Sequence, residues 1–121
     1  MSNNIKTILV SIVIAISNDK IWLQSRGDKL EFPGGKIEPN EIPKQAAVRE
    51  LNEEVGIKLD ESQIDFFKRY NFEYPEVRVE IFSFLFHDNN KLFEASGYRF
   101  INEMLGEYSG QNYGQNLNII K

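Results

Sequence analysis

A chain of 121 residues has room for one compact domain spanning 1–121, and its 41% apolar content, with nine Phe, five Tyr and one Trp, can fill a core without staples. The charged fraction of 26% excludes a disordered chain, and the net charge of −4 argues against a nucleic-acid polymer as partner while leaving room for a small phosphorylated ligand. With no cysteine, disulfides, thiolate catalysis and Cys-ligated zinc are excluded, which agrees with a cytoplasmic setting.

In chain order, the apolar run behind Lys6 predicts a strand from Lys6 to Ile16, since Ile8, Val10, Ile12, Val13, Ile14 and Ile16 are β-branched. Ala15-Ile16-Ser17 also resembles a weak leader-cleavage site, but removing the run would strip the partner from the stretch that follows. The run is too short to span a bilayer, so no membrane association is expected. Asn18-Asp19 predicts a tight turn into a second strand from Lys20 to about Ser25. A short extended piece, Leu30 to Phe32, meets a breaker at Pro33-Gly34-Gly35. Pro43 to Val55 predicts a helix, with Pro suited to its first position and Gly56 to its end. Strands are predicted from Ile64 to Phe72 and Val77 to His87, with a turn at Asp88-Asn89-Asn90, a short strand near Tyr98 to Phe100 and a helical piece after Asn112. Strands on both sides of one strong helix give an α+β fold, with helices on a curved sheet.

The stretch Gly34 to Ile57 carries the chemistry. At ~100° per residue, Glu50, Glu53 and Glu54 fall within roughly 100° of one another, while Val48, Leu51 and Val55 cluster about 130° away. Like charges at these spacings cost a few tenths of a kcal/mol per pair. A solvated acidic face, with Lys44 and Lys58 as loose counter-charges, is one reading. A site for a hard divalent cation such as Mg²⁺, which prefers carboxylate oxygens and shares its shell with phosphates, is the other. Pro33-Gly34-Gly35 favours the second, because a glycine backbone can approach a ligand closely, and Lys36 beside it can meet a phosphate.

Gly35, Glu41, Arg49, Glu50, Glu53, Glu54 and Gly56, with Leu51 and Ile57 at the apolar positions, make up a full Nudix box. Seven fixed matches arise by chance on the order of 10⁻⁸ per starting position. The chain therefore resembles the Nudix hydrolases, and Leu30 to Lys36, LEFPGGK, is similar to the MutT-type members. The resemblance implies a Nudix fold, a mixed β-sheet sandwiched between α-helices. It implies metal binding by Glu50, Glu53, Glu54 and the carbonyl of Gly34, with Arg49 orienting Glu50, and structural roles for Glu41 and Gly56. A later loop glutamate, at Glu94, is implied as a further metal ligand, and Glu50 or Glu94 as general base. Arg26, Phe32, Lys36 and Asn116 are implied as nucleotide contacts.

The activity so implied is Mg²⁺-dependent hydrolysis, with Mn²⁺ as a substitute, of a nucleoside triphosphate to the monophosphate and pyrophosphate. The implied substrate is 8-oxo-dGTP, a small molecule, and a monomer is the expected state. Alternatives are another (d)NTP, a nucleoside diphosphate derivative, or a catalytically silent Nudix-fold ligand sensor. Three departures stand out: only Gly27-Asp28-Lys29 separates Arg26 from Leu30; Val77 stands where MutT proteins often carry arginine, with Arg78 one residue late; and Ile42 replaces the usual polar helix cap. The lone His87, in an aromatic stretch, is expected to be structural.

Overall fold

The computed structural model describes residues 5–26, 29–93 and 98–100, with the backbone alone at 25, 26, 29 and 98–100. In chain order its elements are β1 (Lys6–Ser17), β2 (Lys20–Trp22), β3 (Gln24–Arg26), β4 (Lys29–Glu31), β5 (Gly34–Lys36) and α1 (Pro43–Val55), then a 3₁₀ turn (Glu61–Gln63), β6 (Asp65–Glu73), β7 (Val77–His87) and β8 (Tyr98–Phe100).

The apolar run predicted as the first strand becomes β1, the centre of a mixed sheet ordered β6-β7-β1-β2-β8. One edge of β1 runs parallel to β7, from Lys6↔Val77 to Ile16↔His87. Its other edge is shared: Val10–Ile12 pair antiparallel with β5, and Ile16–Ser17 with β2. The β1–β2 turn is two residues long, and Asn18 takes the positive φ of 57° that such a turn requires.

Because successive strand side chains point to opposite faces, an unbroken β-branched run buries both. Ile12 and Ile14 join Ile21, Leu23, Leu30, Phe32 and Ile81 on one face. Val13 and Ala15 join Ala47, Leu51, Leu59, Ile64, Phe84, Phe86 and Phe93 on the other, which α1 covers. Two buried polar groups steady this frame. The Ser83 hydroxyl accepts from the Lys68 N–H at 3.1 Å and donates to the Lys68 carbonyl at 2.8 Å, satisfying the backbone where β6 bulges between Phe66 and Lys68. The Asp88 carboxylate, 1% exposed, accepts from the N–H groups of Leu92 and Phe93, at 2.7 and 3.0 Å.

The expected strand from Lys20 to Ser25 is in fact two. Leu23, 2% exposed, turns into the first cluster. β2 stays in the main sheet, while β3 leaves to pair with β4 as a separate hairpin. The expected break at Pro33-Gly34-Gly35 is likewise a strand from Gly34 onward. Glycine is a poor strand former, but here only glycine fits: a Cβ on Gly34 would overlap the Ser11 carbonyl oxygen and lie 2.8 Å from the Ile12 Cα. The helical piece expected after Asn112 lies outside the described residues. Among the described residues no helix is long and apolar enough to cross a membrane.

Candidate active site

The helix α1 is set on the sheet by small residues and by its caps. Pro43 opens it, and the Ile42 cap (φ −84°, ψ 158°) has no side-chain acceptor to offer. Gln45 supplies half of the missing motif, its Oε1 accepting from the Ile42 N–H at 3.0 Å. Gly56 closes the helix at φ 81°, its N–H donating to the Asn52 carbonyl at 3.0 Å. The fully buried Ser11 hydroxyl donates to the Pro43 carbonyl at 2.7 Å, tying the first turn to β1. Ala46 and Ala47, both fully buried, let the helix axis come close to β1 and β5.

That closeness decides where the carboxylates go. At ~100° per residue, the directions of Glu50 and Glu54 fall between those of Ala46 and Ala47. They therefore overlie β5 instead of facing outward. The Glu50 carboxyl is only 16% exposed, whereas Glu53, farther round the helix, is 57% exposed. A Cβ on Gly35 would stand 2.5 and 2.6 Å from the two Glu50 oxygens, so the second glycine makes room for this carboxylate.

Strand register turns the backbone of β5 toward the helix. The Val13 N–H donates to the Pro33 carbonyl at 3.0 Å and the Ile37 N–H to the Leu9 carbonyl at 2.9 Å. With Ile12 opposite Gly34, that alternation points the N–H and C=O of Gly34 and Lys36 away from β1. Accordingly the Gly34 N–H donates to Glu54 Oε1 at 3.0 Å, and the Lys36 carbonyl accepts from Arg49 Nη2 at 3.0 Å. Glu54 Oε1 also accepts from Gln24 Nε2 at 3.1 Å.

Arg49 is the hub. Its Nε and Nη2 meet both oxygens of Glu41 at 2.6 and 3.0 Å, a bidentate pair. Its Nη1 reaches Glu50 Oε2 at 3.1 Å, Glu53 Oε1 at 3.2 Å and Glu38 Oε2 at 3.8 Å. Four carboxylates thus meet one guanidinium, a local excess of three negative charges. Hydrogen bonding from Arg49 holds the Glu41 carboxyl below the usual carboxylate range, and Glu41 in turn raises Arg49 above its ordinary value. The expected Arg49–Glu50 bond is present, but the tightest partner of Arg49 is Glu41.

The donor set, three carboxylates and the inward-turned Gly34 carbonyl, has the hard-oxygen chemistry that a divalent cation of the Mg²⁺ type requires. Among the described residues no three His, Asp or Glu side chains are arranged to hold a metal ion, since the carboxylates that do gather are gathered around the Arg49 guanidinium. Arg49 draws Glu50 and Glu53 toward itself, and Gly34 and Gln24 hold Glu54, so the four donors lie along a ledge.

Of the other expected contacts, Lys36 is exposed at the end of β5, whereas Phe32 is 5% exposed and packs in the first cluster with Leu23 and Leu30. Arg26 lies opposite Lys29 in the β3–β4 hairpin. Glu94 and Asn116 fall outside the described residues. Arg78 sits in register with Glu73, its Nη2 3.5 Å from that carboxylate, and the strand alternation puts it on the opposite face from Val77, Val79 and Ile81. His87 is exposed at the end of β7. Sequence reasoning missed Gln24 and Ser11. Strand alternation after Ile21 and Leu23 could have put Gln24 on the helix side, but not its partner.

A helix lined with carboxylates, laid over a glycine strand beside a mixed sheet, defines the class: the Nudix domain family model matches residues 7–98, and the chain belongs to the Nudix family. Members of this family generally use divalent metal ions and act on small nucleotides. Within it, the chain is 39% identical over 79 residues to an 8-oxo-dGTP diphosphatase of Escherichia coli (strain K12), a match covering 60% of each chain. It is 38% identical over 88 residues to an 8-oxo-dGTP diphosphatase of Haemophilus influenzae, covering 73% of this chain and 52% of that one. The chain thus spans 60% and 52% of the lengths of these two relatives. The crystal structure of a MutT protein from Methanosarcina mazei Go1 superposes with a TM-score of 0.67 over 96% of this chain and 93% of that one, at 21% identity, and shares its α+β Nudix fold.

Proposed function

We propose that this protein hydrolyses a nucleoside triphosphate to the monophosphate and pyrophosphate, with 8-oxo-dGTP as the preferred substrate, as a cytoplasmic monomer that engages neither nucleic-acid polymers nor membranes. One observation carries the reading: Glu50 and Glu54 are packed over a glycine backbone, with Glu53 beside them, where a purely solvated acidic face would turn them outward. The names of the E. coli and H. influenzae relatives support the choice of nucleotide.

In this reading Glu50, Glu53, Glu54 and the Gly34 carbonyl hold a divalent cation, Mg²⁺ or in its place Mn²⁺, with Glu94 as a further ligand. Bound there, the ion neutralises phosphate charge and lowers the pKa of a water. Arg49 fixes one oxygen each of Glu50 and Glu53. Glu50 or Glu94 takes the proton of the attacking water as general base. Lys36 offers a cation to the phosphate chain, and Arg26, Phe32 and Asn116 meet the nucleotide. Phe32, buried as it is, contributes the floor of that contact.

A turnover panel with Mg²⁺ over 8-oxo-dGTP, dGTP, the other dNTPs and nucleoside diphosphate derivatives tests the substrate. The expected kcat/KM for 8-oxo-dGTP exceeds that for dGTP by at least about tenfold, and equal values remove that preference. Glu53→Gln tests the engine. Its exposed side chain predicts an unchanged melting point, while loss of one ligand lowers kcat by about 100-fold or more. Undiminished hydrolysis in this variant would sink the metal-dependent reading.

A further inference from the structure

We infer that Gln24 is a positioning residue for Glu54, setting the carboxylate for a divalent cation from a strand that lies outside the glycine–helix segment; the inference rests on the metal-binding reading above. Ile21 and Leu23 bury in the first cluster, at 3% and 2% exposure, and Trp22 packs against the second. Strand alternation then directs Gln24 to the side of α1. Its amide Nε2 lies 3.1 Å from Glu54 Oε1, and the Gly34 N–H lies 3.0 Å from the same oxygen. Two donors from two different strands thus fix one oxygen of a carboxylate in the last turn of the helix.

The chemistry of these donors differs from that of the pair holding Glu50 and Glu53. A guanidinium orients those two carboxylates and offsets their charge as well. The Gln24 amide and the Gly34 N–H are neutral donors, and what they supply to Oε1 is orientation. Outer partners that aim a ligand in this way typically change metal affinity 10- to 100-fold when removed. The side chain must also be the right length: an asparagine at 24 is one methylene too short to span the gap from β3 to α1.

The experiment titrates the 121-residue chain with MnCl₂ by calorimetry and melts each variant in EDTA. Gln24→Met keeps the shape and removes the donor, and Gln24→Lys keeps a donor and adds a positive charge. Gln24→Met is expected to weaken Mn²⁺ binding about tenfold, with the EDTA melting point moved by less than about 3 °C. Its turnover deficit at limiting Mg²⁺ recovers as Mg²⁺ is raised, which a purely structural defect would not do. Gln24→Lys weakens Mn²⁺ binding further while melting in EDTA at or above the wild-type temperature. Should Gln24→Met not fold, Gln24→Asn gives the same readout. Mn²⁺ binding within twofold of wild type in the variants overturns the positioning role. Glu53→Gln separates the two levels: if it weakens Mn²⁺ binding and the Gln24 variants do not, Gln24 alone is wrong. If wild type takes up no Mn²⁺, or Glu53→Gln binds it as wild type does, the metal reading fails and this inference with it.

Discussion

The two edges of α1 are held by different physics. Along one, Ala47 and Leu51, with Val48 and Val55 beside them, rest on Val13, Phe84 and the rest of the second cluster. That contact is made of many weak dispersion terms and excluded water, so it tolerates any repacking that conserves volume. Along the other edge Glu50 and Glu54 lie on two glycines and answer to individual polar groups, among them the Arg49 guanidinium, the Gln24 amide and the Gly34 backbone N–H. The apolar edge decides whether the helix docks, and the acidic edge decides what the docked helix can bind. One helix therefore carries two classes of mutational response.

Neighbouring glycines offer the largest contrast. At Gly34 an added Cβ would meet the backbone of Ser11 and Ile12, which cannot yield, whereas at Gly35 it would meet the flexible end of Glu50. Gly34→Ala is expected to destabilise by about 3 kcal/mol, lowering Tm by roughly 10 °C. Gly35→Ala should shift stability by less than about 1 kcal/mol while lowering turnover about tenfold, because Glu50 is displaced. Melts and kinetics on the pair, with the two outcomes interchanged, would break the comparison.

Next in size is Arg49→Met, which leaves Glu41 and Glu50 without their charged donor and should cost about 2 kcal/mol at pH 7. The pH dependence has a definite sign. Because Arg49 lowers the Glu41 pKa, the stability due to this pair is fully present above the ordinary carboxylate value of about 4.3 and is lost as pH falls through the depressed folded value. The gap in Tm between wild type and Arg49→Met should therefore be widest near neutrality and shrink below about pH 4. A gap of equal size at pH 7 and pH 3 would contradict the assignment.

The smallest effect belongs to neither edge. Ile42 is 54% exposed at an extended cap whose N–H already bonds Gln45. Ile42→Thr completes the reciprocal pair and should raise stability by about 1 kcal/mol, or roughly 4 °C in Tm, with turnover unchanged.

Much of this was legible beforehand. The bounds of α1 follow from Pro43 and Gly56, and β1 and β7 from long β-branched or alternating runs, because each signal is local. β5 was not legible, since Gly34 and Gly35 argue against a strand until the neighbouring Ser11 backbone is in place. The break at Leu23 was hidden for a similar reason: alternation continues through it, and only the core shows that the chain changes sheets. Within the site, the shared face of the three carboxylates was readable from helical spacing. That Glu50 and Glu54 turn inward was not, because it depends on Ala46 and Ala47 allowing the helix to approach. Gln24 lies 30 residues from Glu54 in the chain, and nothing local links them.

The double-sided burial of β1 has one more consequence. A strand with one wet face is kept in alignment by the penalty for turning its greasy side to water, but Ile12, Val13, Ile14 and Ala15 would be content on either side. Sliding β1 by one position would bring a branched side chain to the place where the Ser11 hydroxyl meets the Pro43 carbonyl, and would offset the snug fit of Gly34 against that backbone. These contacts act as a gauge: the glycine strand that lines the acidic ledge also sets the alignment of the central strand.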